Sequence, residues 1–215
     1  MSRLAAPVFA LGLVALAACS KPAPAPEAEA PAVETAAVAP APAEPAEPAP
    51  APAAATPAAA KNDPAVINFE GFGPAKFGAD EEQVRMSWGR PLAGAPDPTD
   101  GPGACYYLYM DPMPEQGGIA FMFGGAQFVR YGVDSPLHAA PGDLAVGMTA
   151  ADVEARFPGR LESQPHKYDP TGRYLIVSPE DGGDHRLLFE VDGGGVITEW
   201  RIGRQPQVQY VEGCL

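Results

Sequence analysis

Histidine and cysteine are scarce in this chain, three of each among 215 residues. The scarcity bears directly on chemistry. No two of His138, His166 and His185 stand at helical metal-ligand spacing, and there is no His-Glu-x-x-His, Cys-x-x-Cys or EF-hand loop. A Gly-x-Ser-x-Gly elbow and a glycine-rich phosphate loop ahead of a helix are missing as well. The expectation is therefore a protein that is not an enzyme, with no metal site and no cofactor. Basic residues are also few: 14 against 27 acidic ones, a net charge of −13. Residues 64–215 alone carry −10, which repels phosphate backbones and argues against nucleic acid as a partner. Long apolar runs are absent too. The run at residues 4–16 has 13 members, short of the roughly 20 that a helix needs to span a bilayer.

That run follows a single positive charge, Arg3, and ends in Leu16-Ala17-Ala18-Cys19. A charged start, a short apolar stretch and small residues make a secretory signal. An ordinary signal needs no thiol at its first mature position. Leu-Ala-Ala-Cys in this place resembles the bacterial lipoprotein lipobox. The resemblance implies a signal peptide over residues 1–18, diacylglyceryl transfer to the Cys19 sulfur, and acylation of the new amine. The lipid bilayer is then a partner through the acyl chains on Cys19, and anchoring is stable because there is more than one chain. Ser20 is not aspartate, which in the Gram-negative sorting pattern looks like an outer-membrane address. The expected place is the cell envelope, as an outer-membrane lipoprotein with its domain facing the periplasm.

Residues 19–63 read as a tether. Between 21 and 60 there are 19 alanines and 11 prolines, with no aromatic and no glycine. Such a stretch buries no apolar area and is expected to stay disordered. Polyproline II at about 3.1 Å per residue gives it a reach on the order of 100 Å. From residue 64 onward the composition is that of a folded chain, with both tryptophans, all seven tyrosines and every phenylalanine except Phe9. Those 152 residues suffice for one domain, or for two small ones sharing a core. Once Cys19 is lipidated, Cys105 and Cys214 remain, and an even pair in an oxidising compartment reads as a disulfide.

Two segments of the folded part match at an offset of 69 residues. Gly73 matches Gly142, Gly78 matches Gly147, Val84 matches Val153, and Trp88 matches Phe157. A one-residue slip then aligns Gly89-Arg90 with Gly159-Arg160. Sustained matching at one offset predicts a duplication, with halves at 64–140 and 141–215. Each half carries the same local signals. Asp80 and Thr149 are N-cap residues with Gln83 and Asp152 three positions on. Val84 and Trp88, or Val153 and Phe157, share a helix face, and Gly89 and Gly159 are expected stops. Three apolar runs follow in each half, at 106–110, 119–123 and 128–133, then at 174–177, 187–191 and 196–202, parted by Gly-rich or Pro-rich breaks. The predicted fold class is α+β: two tandem helix-plus-antiparallel-meander repeats, with the helices on one face of the combined sheet.

The segment Gly142-Asp143-Leu144-Ala145-Val146-Gly147-Met148-Thr149, with Val153 and Phe157 behind it, resembles the start of the small outer-membrane assembly lipoproteins of the SmpA/OmlA kind. Two such units in tandem look like the β-lactamase inhibitor protein fold, in which paired sheets form one concave surface. The Tyr210-Val211-Glu212-Gly213-Cys214 tail is similar to that of uncharacterised proteobacterial envelope proteins. The likeness implies a fold and no activity. Ala79 stands where the second copy has Met148, and residues 94–103 form a Pro/Gly insertion, so inhibition of β-lactamases is not implied.

Strand alternation then assigns faces. With Leu187, Phe189 and Val191 toward the helices, Arg186, Leu188 and Glu190 point away. Ile197, Glu199 and Arg201 are expected on the same outer face, opposite Val196, Thr198, Trp200 and Ile202. In the first half, Leu108 and Met110 inside leave Tyr107 and Tyr109 outside, and Val129, Tyr131 and Val133 inside leave Phe128 and Arg130 outside. An outer face of Tyr107, Tyr109, Phe128, Arg130, Arg186 and Arg201 has the composition of a protein interface, and an envelope protein is the expected partner. A solvated face with ion pairs such as Arg186 with Glu199 fits the same residues. The loop Pro165-His166-Lys167-Tyr168-Asp169 gathers four chemically distinct side chains, and Asp181 and Asp184 flank two glycines ahead of His185. Both stretches read first as solvated turns. The function expected is a non-catalytic protein-binding module on a membrane anchor, with a structural or peptidoglycan-associated role as the alternative and a hydrolase with an unrecognised site around His166 as the third reading.

Overall fold

The computed structural model describes residues 60–214. The signal peptide, Cys19 and nearly all of the tether lie outside the described residues. The first helix, α1 (Glu81–Trp88), begins where the Asp80 side chain accepts the backbone N–H of Gln83. It ends on Gly89 at φ 70°, a left-handed conformation that glycine adopts without steric cost. The second helix, α2 (Ala150–Arg156), opens with a full capping box between Thr149 and Asp152. Its stop differs from expectation. Phe157 is the C-cap, and Gly159, at φ 73°, belongs to the turn beyond it.

Eleven strands accompany these helices among the described residues. Three two-residue strands, β1 (Ile67–Asn68), β2 (Gly71–Phe72) and β3 (Ala75–Lys76), form a small antiparallel sheet before α1. After α1 come β4 (Leu92–Ala93), β5 (Cys105–Met110), β6 (Ile119–Gly124) and β7 (Gln127–Val133). After α2 come β8 (Leu161–Pro165), β9 (Arg173–Val177), β10 (His185–Val191) and β11 (Ile197–Arg204). These eight make one sheet in the order β4-β5-β6-β7-β11-β10-β9-β8. All pairings in it are antiparallel. The order is palindromic: each helix leads into a four-stranded meander, and the meanders meet at their last strands. The fold is α+β with an antiparallel sheet.

The principal core lies on one face of this sheet. Val84 of α1 and Ala150 and Val153 of α2 join Leu108, Phe121, Phe128, Tyr131, Phe189, Trp200 and Ile202 in a single buried cluster. Both helices therefore cover the same face, and the small sheet covers it too, through Phe72. That ring packs edge-on to Phe121 and Tyr131 at centroid distances of 5.1 and 5.8 Å. Such aromatic contacts add roughly 0.5–1.5 kcal/mol each beyond area burial.

Two register shifts correct the assignment of faces. Between Met122 and Phe123 the pairing moves from Arg130 to Phe128, which leaves Val129 as the extra residue of a bulge. Phe128 consequently turns into the core at 0 % exposure instead of lying outside. At the β10–β11 hairpin the shift between Glu190 and Val191 pairs Val191 with Ile197, skipping Thr198. Ile197 is thereby core as well. One inserted residue reverses alternation, because side chains on a strand repeat every two positions.

Candidate binding site on the second face of the sheet

The face away from the helices is not bare. After β11 the chain turns back in a strap, residues 205–214, with a 3₁₀ turn (Gln207–Gln209) inside it. Val208, at 0 % exposure, sits with Tyr174, Ile176 and Leu188 in a second buried cluster, and Val211 packs against it. The strap ends in a disulfide from Cys214 to Cys105 on β5, closing a separation of 109 residues.

Two arginines at the centre of the sheet hold this strap. Where β7 meets β11, Arg130 lies opposite Gly203 and Arg201 lies opposite Gly132. A side chain at Gly203 would come within 2.9 Å of the Arg130 Cβ, so the glycine gives that arginine its room. Arg130 Nη1 donates to the carbonyls of Gln207 and Tyr210 at 3.1 and 2.7 Å, and its Nη2 donates to the Tyr107 hydroxyl. Arg201 Nε donates to the Val208 carbonyl at 2.9 Å. Its Nη1 donates to Glu190 and Glu199 at 3.1 and 3.2 Å. Both arginines are on the expected face, but at 6 % and 3 % exposure they are buried beneath the strap rather than open to a partner. The pairing of Arg186 with Glu199 does not form. Arg186 donates to the carbonyls of Gly183 and His185, and Glu199 pairs with Arg201.

The loop 165–169 takes part in the same closure. His166 stacks on Tyr174 with ring centroids 4.7 Å apart. Its Nδ1 accepts the backbone N–H groups of Tyr168 and Asp169, and its Nε2 hydrogen-bonds Glu190 at 2.9 Å. Both ring nitrogens are thus committed. Lys167 and Tyr168 each bond Glu212 on the strap. Those bonds raise the Lys167 pKa and lower that of Glu212. Asp181 accepts from Gly183 within its turn, and His185 lies 3.4 Å from Asp184.

Between the strap and the first half of the sheet a cavity of about 430 Å³ remains, within the range of small-ligand and side-chain pockets. Tyr107, Tyr109 and Ala120 face it from β5 and β6, and Arg130, Glu199 and Arg201 from β7 and β11. Strap residues 211–213 and Tyr168 close the far side. Tyr107 and Tyr109 stack at 5.6 Å. Burial raises the pKa of Tyr107 and of Glu199 and lowers that of Arg130, with Arg201 adding to the last effect. Two donors in this setting, Arg130 Nε and Arg201 Nη2, are buried without a hydrogen-bond partner. An unmet buried donor costs about 1–3 kcal/mol, more when charged. Three large side chains at the cavity are exposed: Tyr109 at 43 %, Met113 at 44 % and Tyr168 at 62 %. A second hollow of about 660 Å³, around Lys76, Phe157 and Arg160, holds none of the unpartnered buried groups.

Of the six residues expected to contact a partner, Tyr107, Tyr109, Arg130 and Arg201 come together at this cavity. Phe128 is in the core, and Arg186 is not among the lining residues. Sequence reading placed Glu199 on this face but not among the contact residues, and it missed Met113 and the strap. The repeated tripeptide Arg-x-Gly, at 130–132 and again at 201–203, was an available signal that the two arginines act as a pair.

No family model matches this chain, and no curated protein matches it. Among solved structures it is similar to the uncharacterized protein yfeY from Escherichia coli, at 11 % identity over 65 % of this chain and 99 % of that one, TM-score 0.43. It is also similar to an extracellular protein containing a SCP domain from Bacillus anthracis, at 14 % identity, TM-score 0.40. That match covers 60 % of this chain and 44 % of the other, so the chain spans under half of that protein's length. A DUF4309 family protein, YjgB, from Bacillus subtilis matches at 11 % identity over 59 % of this chain and 79 % of that one, TM-score 0.37. Likeness at these levels says nothing of activity.

Proposed function

We propose that this chain is an outer-membrane lipoprotein of the cell envelope, anchored through acyl chains on Cys19, whose folded part is a non-catalytic protein-binding module. The observation that carries the binding role is the cavity on the second face. It combines exposed Tyr109, Met113 and Tyr168 with the edges of two largely buried arginines, Arg130 and Arg201, in its wall. Aromatic residues and arginine are the types that concentrate binding energy at protein interfaces. The lipobox residues support the anchor, and the Ala/Pro-rich stretch gives the module reach from the membrane. We also read the palindromic strand order and the paired Arg-x-Gly tripeptides as the trace of a tandem duplication.

Pull-down from chemically crosslinked envelopes tests the binding role. The expected result is a stoichiometric protein that is lost with Tyr109→Ala. A second reading, association with peptidoglycan, draws on the stacked Tyr107–Tyr109 pair as a platform for a sugar ring. In that case the same pull-down returns murein in place of a protein.

A further inference from the structure

His166 stands where the 165–169 loop meets both fastenings of the strap. Its ring is stacked on Tyr174 of β9, and its side chain is 11 % exposed. Backbone N–H groups only donate, so the Nδ1 that accepts those of Tyr168 and Asp169, at 3.1 and 2.9 Å, carries no proton. The one ring proton is therefore on Nε2, donated to Glu190 of β10 at 2.9 Å. Glu190 also accepts from Arg201 of β11, whose Nε holds the Val208 carbonyl of the strap. On its other side His166 is followed at once by Lys167 and Tyr168, which bond Glu212 on the strap. A doubly protonated imidazole does not fit this docked loop, because a proton on Nδ1 would point at two N–H donors.

We propose that His166 is a pH-sensitive latch: when its ring takes a second proton, the corner at 167–168 lifts off Glu212 and the far side of the cavity opens. The latch goes beyond the binding role and does not depend on what the cavity binds. Histidine is the side chain whose ordinary titration, at about pH 6.5, falls in this range. The groups around it keep their charges there. Hydrogen bonds from Thr171 hold Asp169 below the ordinary carboxylate value, and those from Lys167 and Tyr168 do the same for Glu212. Bonding to Glu212 raises Lys167, burial raises Tyr174, and Arg201 stays cationic. Glu190 attracts the imidazolium, but it is already met by the Nε2 proton, so its charge keeps the ring on β10 without restoring the caps at Nδ1. Asp169 keeps its bonds to Thr171 and to the Gly193 N–H and serves as the hinge. The docked form, which binds one proton fewer, is thus favoured above the imidazole range and lost as pH falls through it.

Amide hydrogen exchange of the full-length protein as purified, converted to protection factors at about pH 7.5 and about pH 5, reads the latch on both sides of the imidazole range. A proton bound only by the released form shifts the balance by up to about tenfold per pH unit below that range. Protection at Tyr168–Asp169 and at 211–213 should accordingly fall by roughly tenfold or more, while β10 keeps its protection. His166→Asn, whose Oδ1 accepts the same two N–H groups and takes no proton, should show equal protection at both pH values, and its melting temperature establishes that it is folded. Glu212→Ala should leave the fall at 168–169 and abolish it at 211–213. Protection indifferent to pH in the native protein overturns the latch. So does the same fall in His166→Asn, which would assign it to a carboxylate such as Glu199. A fall at 168–169 that leaves 211–213 unmoved overturns the opening of the cavity. NMR of the native protein supplies a reading without substitution: protonation of the His166 ring should coincide with movement of the Tyr168 and Asp169 amide signals, and ring protonation that leaves those amides in place overturns the latch.

Discussion

Reduction of the Cys105–Cys214 bond is the perturbation whose size the structure sets most plainly. The bond closes a separation of 109 residues, and a loop of that length restricts the unfolded chain by about 5 kcal/mol in the chain-entropy description. Small domains lose roughly 1–3 kcal/mol of stability per molar urea. Taking the middle of that range, reduction should lower the urea midpoint by about 2.5 M. The loss has a local component as well. Without the bond, the strap keeps Val208 and its bonds to Arg130 and Arg201, yet its end is free. Amide exchange across 208–213 should therefore accelerate well before exchange in β10 does. Equilibrium urea unfolding of the oxidised and reduced protein, followed by tryptophan fluorescence, measures the first effect. A midpoint shift below about 0.5 M, or free thiols at both cysteines in protein isolated from the envelope, would refute the strap as a covalently closed element.

Other outcomes follow from the same contacts. Phe189→Ala, at 0 % exposure in the principal core, should destabilise the fold by about 3–5 kcal/mol in chemical denaturation. Arg201→Ala should cost about 2–3 kcal/mol, because it strands Glu190 and Glu199 and releases the Val208 carbonyl. A change under 0.5 kcal/mol would mean that the strap does not bury it. Burial raises the Glu199 pKa above its ordinary 4.5, so its contribution to stability is complete below that value and declines as pH rises through the folded pKa. Glu199→Gln should accordingly gain stability relative to the native protein as pH rises from 4 to 7, a trend that thermal melts at several pH values report. Cys19→Ala should leave the protein unprocessed or released from the membrane fraction. Unchanged fractionation of that variant would remove the anchor.

Much of the fold was legible because local chemistry and global packing agree. Asp80, Thr149 and Asp152 cap the helices as their side chains require, and six of the eight strands of the large sheet follow the apolar runs. The two missed were its edges. β4 has two residues, and β8 is Leu-Glu-Ser-Gln-Pro, whose half-exposed edge position asks for no apolar alternation. The face of Phe128 was unreadable for a different reason. A bulge at Val129 is a property of the pairing with β6, not of the strand, and nothing in Gln127-Phe128-Val129-Arg130 announces it. The site was half legible. Tyr107 and Tyr109 were placed outside correctly by alternation from Leu108. Arg130 and Arg201 were also placed on the right face, but their burial depends on residues 205–214 folding back over them. That return is a long-range event, hinted at only by Cys214.

The cavity beside the strap is proposed to bind a partner without serving the fold. Tyr109 separates the two roles, since it faces the cavity at 43 % exposure and lies outside both buried clusters. The most direct measurement pairs partner recovery from crosslinked envelopes with the melting temperature of purified Tyr109→Ala. Recovery is expected to fall by roughly tenfold or more, a typical cost at an aromatic contact of about 2 kcal/mol, while stability changes by no more than about 0.5 kcal/mol. Full recovery with unchanged stability would contradict the binding role.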